Sequence, residues 1–145
     1  MKVERASCGP SWSRKNSSKL TPGWRSIPTV QVIAIVDENE RRAHRLAERY
    51  GIKSVYKDYG EMLDSERLDI VDICTPPYLH GTMTEEAVEN RCHVVVEKPL
   101  AFTFQQAERI FDLAQREGVV VCPVFNYRYC ESIKNAKRKL AEGGI

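Results

Sequence analysis

Residues 92–99 read Cys-His-Val-Val-Val-Glu-Lys-Pro, and the chemistry of this chain is most legible there. The apolar run at 94–96 has the length and β-branching of a fully buried strand. Glu97 and Lys98 follow at once, and Pro99, which cannot donate to a sheet ladder, stops the run. Ligands of open parallel sheets bind at the carboxyl ends of the strands. A lysine shielded from water there shifts its proton affinity readily and suits a general acid or base. The same two residues also fit solvated loop charges just past a strand end. Asp37 is the second such residue, because it closes the apolar run 30–36. An acid ending the second strand of a dinucleotide fold can accept both hydroxyls of the adenosine ribose. It would also repel a ribose 2′-phosphate. The neighbour of Asp37 is Glu38, not arginine, so the expected cofactor is NAD, with NADP disfavoured. A helix-capping or helix-dipole role is the other reading of Asp37.

These residues need a scaffold, and 145 residues supply one domain able to bury roughly 70% of its unfolded-chain surface. No run of 18 apolar residues occurs, and the N-terminus lacks a signal-peptide core. Neither membrane nor export is therefore expected, and the location expected is cytoplasmic. The five cysteines (Cys8, Cys74, Cys92, Cys122 and Cys130) are an odd number without metal-ligand spacing, so no metal is expected. Cys74, Cys92 and Cys122 sit in or beside apolar runs and read as buried, reduced thiols. The net charge of +2 divides into +5 over residues 1–29 and −3 over residues 30–145. The basic front fits a phosphate-bearing ligand or a mobile tail. The cluster Lys134, Lys137, Arg138 and Lys139 is explained by a solvated helix face, so a nucleic-acid partner is not expected.

From residue 29 onward the pattern is regular. Strands are expected at 30–36, 54–56, 69–74, 94–96 and 119–125. Between them fall helical segments at 40–50, 59–63, 79–90 and 104–117, and a last helix at 131–141. Ala43, Leu46, Ala47 and Tyr50 share one face of the first of these, which Gly51 stops. Leu79, Met83 and Ala87 align on the third. Thr103 caps the fourth, with Ala107, Ile110, Phe111 and Ala114 inward and Gly118 as its stop. Apolar strands alternating with single helices imply an α/β fold: a doubly wound parallel sheet covered on both faces.

Five motifs then recur in order: residues 32–37; Tyr56-Lys57-Asp58-Tyr59; residues 69–77 (Asp-Ile-Val-Asp-Ile-Cys-Thr-Pro-Pro) with His80; His93 to Leu100; and Phe125-Asn126-Tyr127-Arg128-Tyr129. Together they resemble the Rossmann-type NAD(P)-binding N-terminal domain of the glucose–fructose oxidoreductase / inositol dehydrogenase / MocA (Gfo/Idh/MocA) family. The resemblance implies hydride transfer between nicotinamide and a sugar, polyol or related alcohol. By it, Lys98 would be catalytic, polarising the reacting hydroxyl and relaying its proton, and Glu97 would lie beside the nicotinamide ribose. Backbone at Cys74, Thr75 and Pro76 would line the pyrophosphate and ribose path. Asn126 and Arg128 would approach the nicotinamide or substrate side. His80 would join the cofactor contacts, or serve as a helix-entry histidine satisfied by neighbouring backbone. His44 and His93 read as structural or solvent-facing.

Two departures from the family pattern stand out. A first strand at the N-terminus would hold Glu4 and Arg5. An uncompensated buried charge costs several kcal/mol of a total stability of about 5–15, so this strand is in doubt. Of the glycines in a G-x-G-x-x-G loop only Gly9 is visible, in Cys8-Gly9-Pro10-Ser11-Trp12-Ser13. Gly9, Ser11 and Trp12 are the expected phosphate-loop contacts; Arg14 and Lys15 could add charge or be plain solvated residues. A helix resuming at Thr21 and Pro22 is expected to run through Arg25. The second departure is length. The expected division is an atypical first βα unit at 1–28, a Rossmann domain at 29–141 and the start of a linker at 142–145. A substrate domain is expected to lie beyond it, so that this chain is not active alone. A non-catalytic dinucleotide-binding module or a truncated remnant is the alternative, and a homo-oligomer is allowed.

Overall fold

In a computed structural model, the chain is described over residues 3–8, as backbone, and over residues 23–143. The described strands are β1 (Val3–Cys8), β2 (Val30–Val36), β3 (Ser54–Tyr56), β4 (Ile70–Ile73), β5 (His93–Glu97) and β6 (Val121–Val124). The intervening helices are α1 (Glu40–Tyr50), α2 (Tyr59–Ser65), α3 (Pro77–Glu89) and α4 (Phe104–Glu117), with α5 (Glu131–Ala141) after a 3₁₀ turn (Asn126–Tyr129). Residues 23–25 are also helical. The strands form one sheet of order β3-β2-β1-β4-β5-β6, parallel throughout. This is the doubly wound arrangement that alternating apolar strands and helices imply.

The doubted first strand forms, and it occupies the middle of the sheet. It pairs with β2 through Val3↔Val30 to Cys8↔Val36 and with β4 through Arg5↔Ile70 to Cys8↔Ile73. Local pattern counts only the burden of Glu4 and Arg5. The pairing serves two neighbours, each of which would otherwise present a row of unmet backbone groups costing about 1–3 kcal/mol apiece. The register against β2 slips between Arg5 and Ala6, which face Val32 and Ala34, so Ile33 is the extra residue of a bulge. Its effect appears in the core. Val32 and Ile35 pack with Ala43, Ala47 and Ile52 of the α1 side, while Ile33, Ala34 and Val36 pack with the other face.

That other face is the larger core. Met62 and Leu63 of α2, Met83, Ala87 and Val88 of α3, and Ile110 and Ala114 of α4 close over Val71, Ile73, Val94 and Val96. The caps follow the sequence. Asn39, Asp58 and Thr103 side chains accept backbone N–H groups of Arg42, Glu61 and Gln106, and Gly51 and Gly118 stop their helices at φ 63° and 71°. Two expectations need correction. Phe111 is 48% exposed, because it lies a quarter turn past Ile110, and the inward stripe is completed by Leu113. Cys122 is exposed, because on edge strand β6 the side chains alternate and Val121 takes the inward place. The thiols of Cys74 and Cys92 are buried as expected. Among the described residues no helix is long and apolar enough to cross a membrane.

Candidate functional site

Because every strand runs the same way, every strand ends at the same edge. Asp37 follows β2, Thr75 and Pro76 follow β4, Lys98 follows β5, and Asn126 and Arg128 follow β6. Strands β2 and β5 are three places apart in the sheet, about 14 Å at ordinary strand spacing. The chain winds outward from β1 to β3 on one side and from β4 to β6 on the other. The switch between the two directions lies between β1 and β4, the point where doubly wound sheets open a crevice for ligands. The expected contacts Gly9, Ser11 and Trp12, with Arg14, Lys15, Thr21 and Pro22, lie outside the described residues.

A cavity of about 380 Å³ opens on this edge beside the ends of β2 and β4, within the usual size range for a small-molecule site. Val36, Leu79 and Met83 give it apolar walls, and Asp37, Glu38, Asp58, Glu86 and Lys57 give it charge. The Tyr59 hydroxyl donates to the Met83 carbonyl at 2.8 Å and ties α2 to α3 across it. Thr75 also lines the cavity, and its Oγ1 is buried with no hydrogen-bond partner among the described residues. A buried hydroxyl left unmet in this way is available to a ligand or an ordered water. A larger groove of about 800 Å³ runs between α3 and α4, lined by Glu85, Glu89, Arg109 and Asp112. It lies on the helical surface near the carboxyl end of α3, away from the strand ends, and the Arg109–Glu85 pair at 3.7 Å spans its two helices.

Glu86 carries a testable consequence of this cavity. Burial raises its carboxyl above the usual range, and the nearby Glu89 and Asp58 add to the effect. The unfolded chain therefore releases this proton at lower pH than the folded chain does, so Glu86 opposes folding increasingly as pH rises through and above the carboxylate range. Glu86→Gln is expected to melt higher than the wild type at pH 7 and level with it at pH 4. Melting temperatures from pH 4 to 7 check this, and a gap that does not widen with pH refutes it.

Asp37 is buried at 3% exposure. It receives Arg42 Nε on Oδ2 and Arg42 Nη2 on Oδ1, and the Asn39 N–H reaches Oδ1 at 2.8 Å. The residue that caps α1 is Asn39, not Asp37. Arg42 is the group that sequence reasoning missed. Its signal was present: an arginine in the first turn of a helix, five residues past a loop carboxylate, can fold back over it.

His80 is 1% exposed. Its Nδ1 lies 2.7 Å from the Pro99 carbonyl and its Nε2 2.7 Å from the Thr75 carbonyl. The bland alternative of a histidine satisfied by backbone is the observed geometry. Those two carbonyls belong to the loops after β4 and β5, so His80 ties together the loops that hold Thr75 and Lys98. Cys74 is buried and its Sγ approaches Asp72 Oδ1 at 3.7 Å. Glu97 is half-buried at the end of β5, paired with Val124 of β6. Lys98 is exposed and makes no ion pair among the described residues, and Asn126 and Arg128 are exposed on the next loop. His44 is exposed, while His93 Nδ1 accepts the Val120 N–H at 2.9 Å.

Comparison with known proteins agrees with this arrangement. The chain is 32% identical to levoglucosan dehydrogenase of Pseudarthrobacter phenanthrenivorans over 120 residues, which are 83% of this chain and 30% of that enzyme. A 3-ketoreductase from Actinomadura kijaniata, solved with NADP and TDP-benzene, superposes with a TM-score of 0.87 at 27% identity over 100% of this chain and 44% of its own. Myo-inositol 2-dehydrogenase of Lactobacillus plantarum shares the fold, with a TM-score of 0.88 at 22% identity over 100% of this chain and 42% of its own. The chain thus spans less than half the length of each of these relatives. A family model described as the oxidoreductase family with an NAD-binding Rossmann fold matches residues 9–125. With the sheet order, the crevice and most of the chain in agreement, this protein belongs to the Gfo/Idh/MocA oxidoreductase family, as an NAD(P)-binding Rossmann domain.

Proposed function

We propose that this chain is the cofactor half of a dehydrogenase or reductase acting on a sugar, polyol or related alcohol, with NAD preferred over NADP. The observation that supports this most directly is the shared edge. A cavity with apolar walls, lined also by Asp37, sits beside the end of β2, and a lysine free of ion pairs among the described residues sits at the end of β5. The residues present suit a dinucleotide. Asp37 and Glu38 favour an unphosphorylated adenosine ribose, and Thr75 offers its unmet hydroxyl. Backbone at Cys74 to Pro76 is available to a phosphate path, and Gly9, Ser11 and Trp12 are assigned to the same path from the family pattern. The nicotinamide group, when bound, supplies the hydride donor or acceptor. In this reading Lys98 holds or accepts the proton of the reacting hydroxyl, Glu97 lies beside the nicotinamide ribose, and Asn126 and Arg128 face the substrate side. His80 acts from behind, through the carbonyls it bridges. The four free cysteines among the described residues fit a reducing, cytoplasmic setting.

Titration of the 145-residue chain with NADH, followed by nicotinamide fluorescence, tests the reading. Saturable binding in the micromolar range is expected, with NADPH weaker. No saturation up to about 1 mM, an affinity equivalent to only about 4 kcal/mol, removes the chain from the dinucleotide-binding class.

A further inference from the structure

Asp37 and Arg42 form a closed pair at the adenosine end of the crevice, and counting acceptor sites shows what that pairing does. A carboxylate offers about four lone-pair sites. Arg42 takes one on each oxygen, and the Asn39 N–H takes the second on Oδ1. Only one site, on Oδ2, is left. Gripping both hydroxyls of a ribose needs two. The pairing also sets a positive charge against the acid. The Asp37 side chain is 3% and the Arg42 side chain 17% exposed, so water screens the pair poorly, and it presents little of the negative charge that a bare acid turns toward a 2′-phosphate. The remaining charges of the cavity are Glu38, Asp58 and Glu86 against Lys57, and Lys57 is drawn toward Glu40 at 3.8 Å.

Resting on the reading of this crevice as a dinucleotide site, we propose that Arg42 is a specificity-determining residue. It holds Asp37 to a single ribose hydroxyl and mutes its charge, so that the pocket prefers an unphosphorylated adenosine ribose without shutting out a 2′-phosphorylated one. The discrimination is set by a residue that lies behind the acid and not by the acid alone. Removing the guanidinium leaves a bare carboxylate, which gains a second hydroxyl and regains its repulsion toward phosphate. Removing the acid instead frees a guanidinium, whose fork suits a phosphate.

The test measures affinities of NADH and NADPH for the 145-residue chain by fluorescence titration, for the wild type, Arg42→Met, Arg42→Lys and Asp37→Asn. The readout is the ratio of the NADPH to the NADH dissociation constant. Arg42→Met is expected to raise this ratio about tenfold or more, the size of one charge-assisted contact, and Asp37→Asn to lower it by a similar factor. Arg42→Lys keeps the charge but loses the fork, and is expected to raise the ratio about threefold through the freed acceptor site. It carries the test if circular dichroism shows Arg42→Met unfolded. A purely structural role for Arg42 would weaken both cofactors alike, so a ratio within twofold of the wild type in the folded variants overturns the proposal. Wild-type chain that binds neither cofactor overturns the reading of the crevice itself, and this inference falls with it.

Discussion

Lys98→Met is expected to lower turnover in hydride transfer by about 10²–10⁴-fold, the usual worth of a positioned acid or base, while NADH affinity changes less than about threefold. The asymmetry follows from where the lysine sits. It is exposed at the end of β5 and bound in no ion pair among the described residues, so the fold does not depend on its ammonium; such surface changes usually stay within about 0.5 kcal/mol. Methionine keeps the apolar stem and removes only the ammonium to which the proposal assigns the proton. A second variant, Lys98→Arg, separates two roles. It retains the positive charge but cannot release a proton near neutral pH, so it should be nearly as inactive if the lysine relays the proton. It should recover most of the rate if charge alone suffices. Steady-state kinetics on a chain joining this domain to a substrate domain measure the turnover. NADH titration and thermal melting of the 145-residue chain measure the rest. Undiminished turnover in Lys98→Met removes the assigned role.

The sequence carried most of the scaffold because the signals were local. Helix α1 runs Glu40–Tyr50 as its pattern indicates, since Asn39 can cap it and only a glycine sits easily at the φ of 63° that ends it. The run 94–96 with Pro99 after it marked β5 and the ligand edge for the same reason. What was not legible depends on neighbours distant in sequence. β1 is stabilised by strands 27 and 65 residues away in register, Val3 with Val30 and Arg5 with Ile70, and no local pattern around Glu4 records them. The extra residue Ile33 looks like one more member of an alternating run. Arg42 reads as one of several arginines on α1, because helical spacing reports which residues share a face and not which loop carboxylate a side chain reaches. The cofactor preference inferred from Glu38 rested on the immediate neighbour, whereas the group that touches Asp37 lies five residues on, folded back from the first turn of α1. Thr75 was placed on the ligand path for its backbone, and the unmet hydroxyl became visible only once the surrounding packing was known.

His80→Ala is expected to destabilise the chain by about 2–4 kcal/mol and to weaken NADH binding in whatever remains folded. The ring is 1% exposed and lies 2.7 Å from the carbonyls of both Thr75 and Pro99. A neutral imidazole has a single N–H and donates to one of them, while the doubly protonated ring donates to both. In either form its removal leaves at least one part-buried carbonyl short of a donor, at about 1–3 kcal/mol, and opens a hole where the ring was. Against a total of about 5–15 kcal/mol, that is a large share for a single polar side chain. Urea unfolding with an unchanged slope measures the loss. His80→Asn, which still donates through its amide, should restore part of it, and a loss below about 0.5 kcal/mol for His80→Ala would show the clamp to be idle. The second effect distinguishes a clamp from mere filler. The loop after β4 carries Thr75 and the loop after β5 carries Lys98, and their backbones are held together through this one ring. Filling the hole with His80→Leu should recover volume but not the ties, so stability should return further than NADH affinity does. If the two recover together, packing alone accounts for His80, and the loops keep their positions without it.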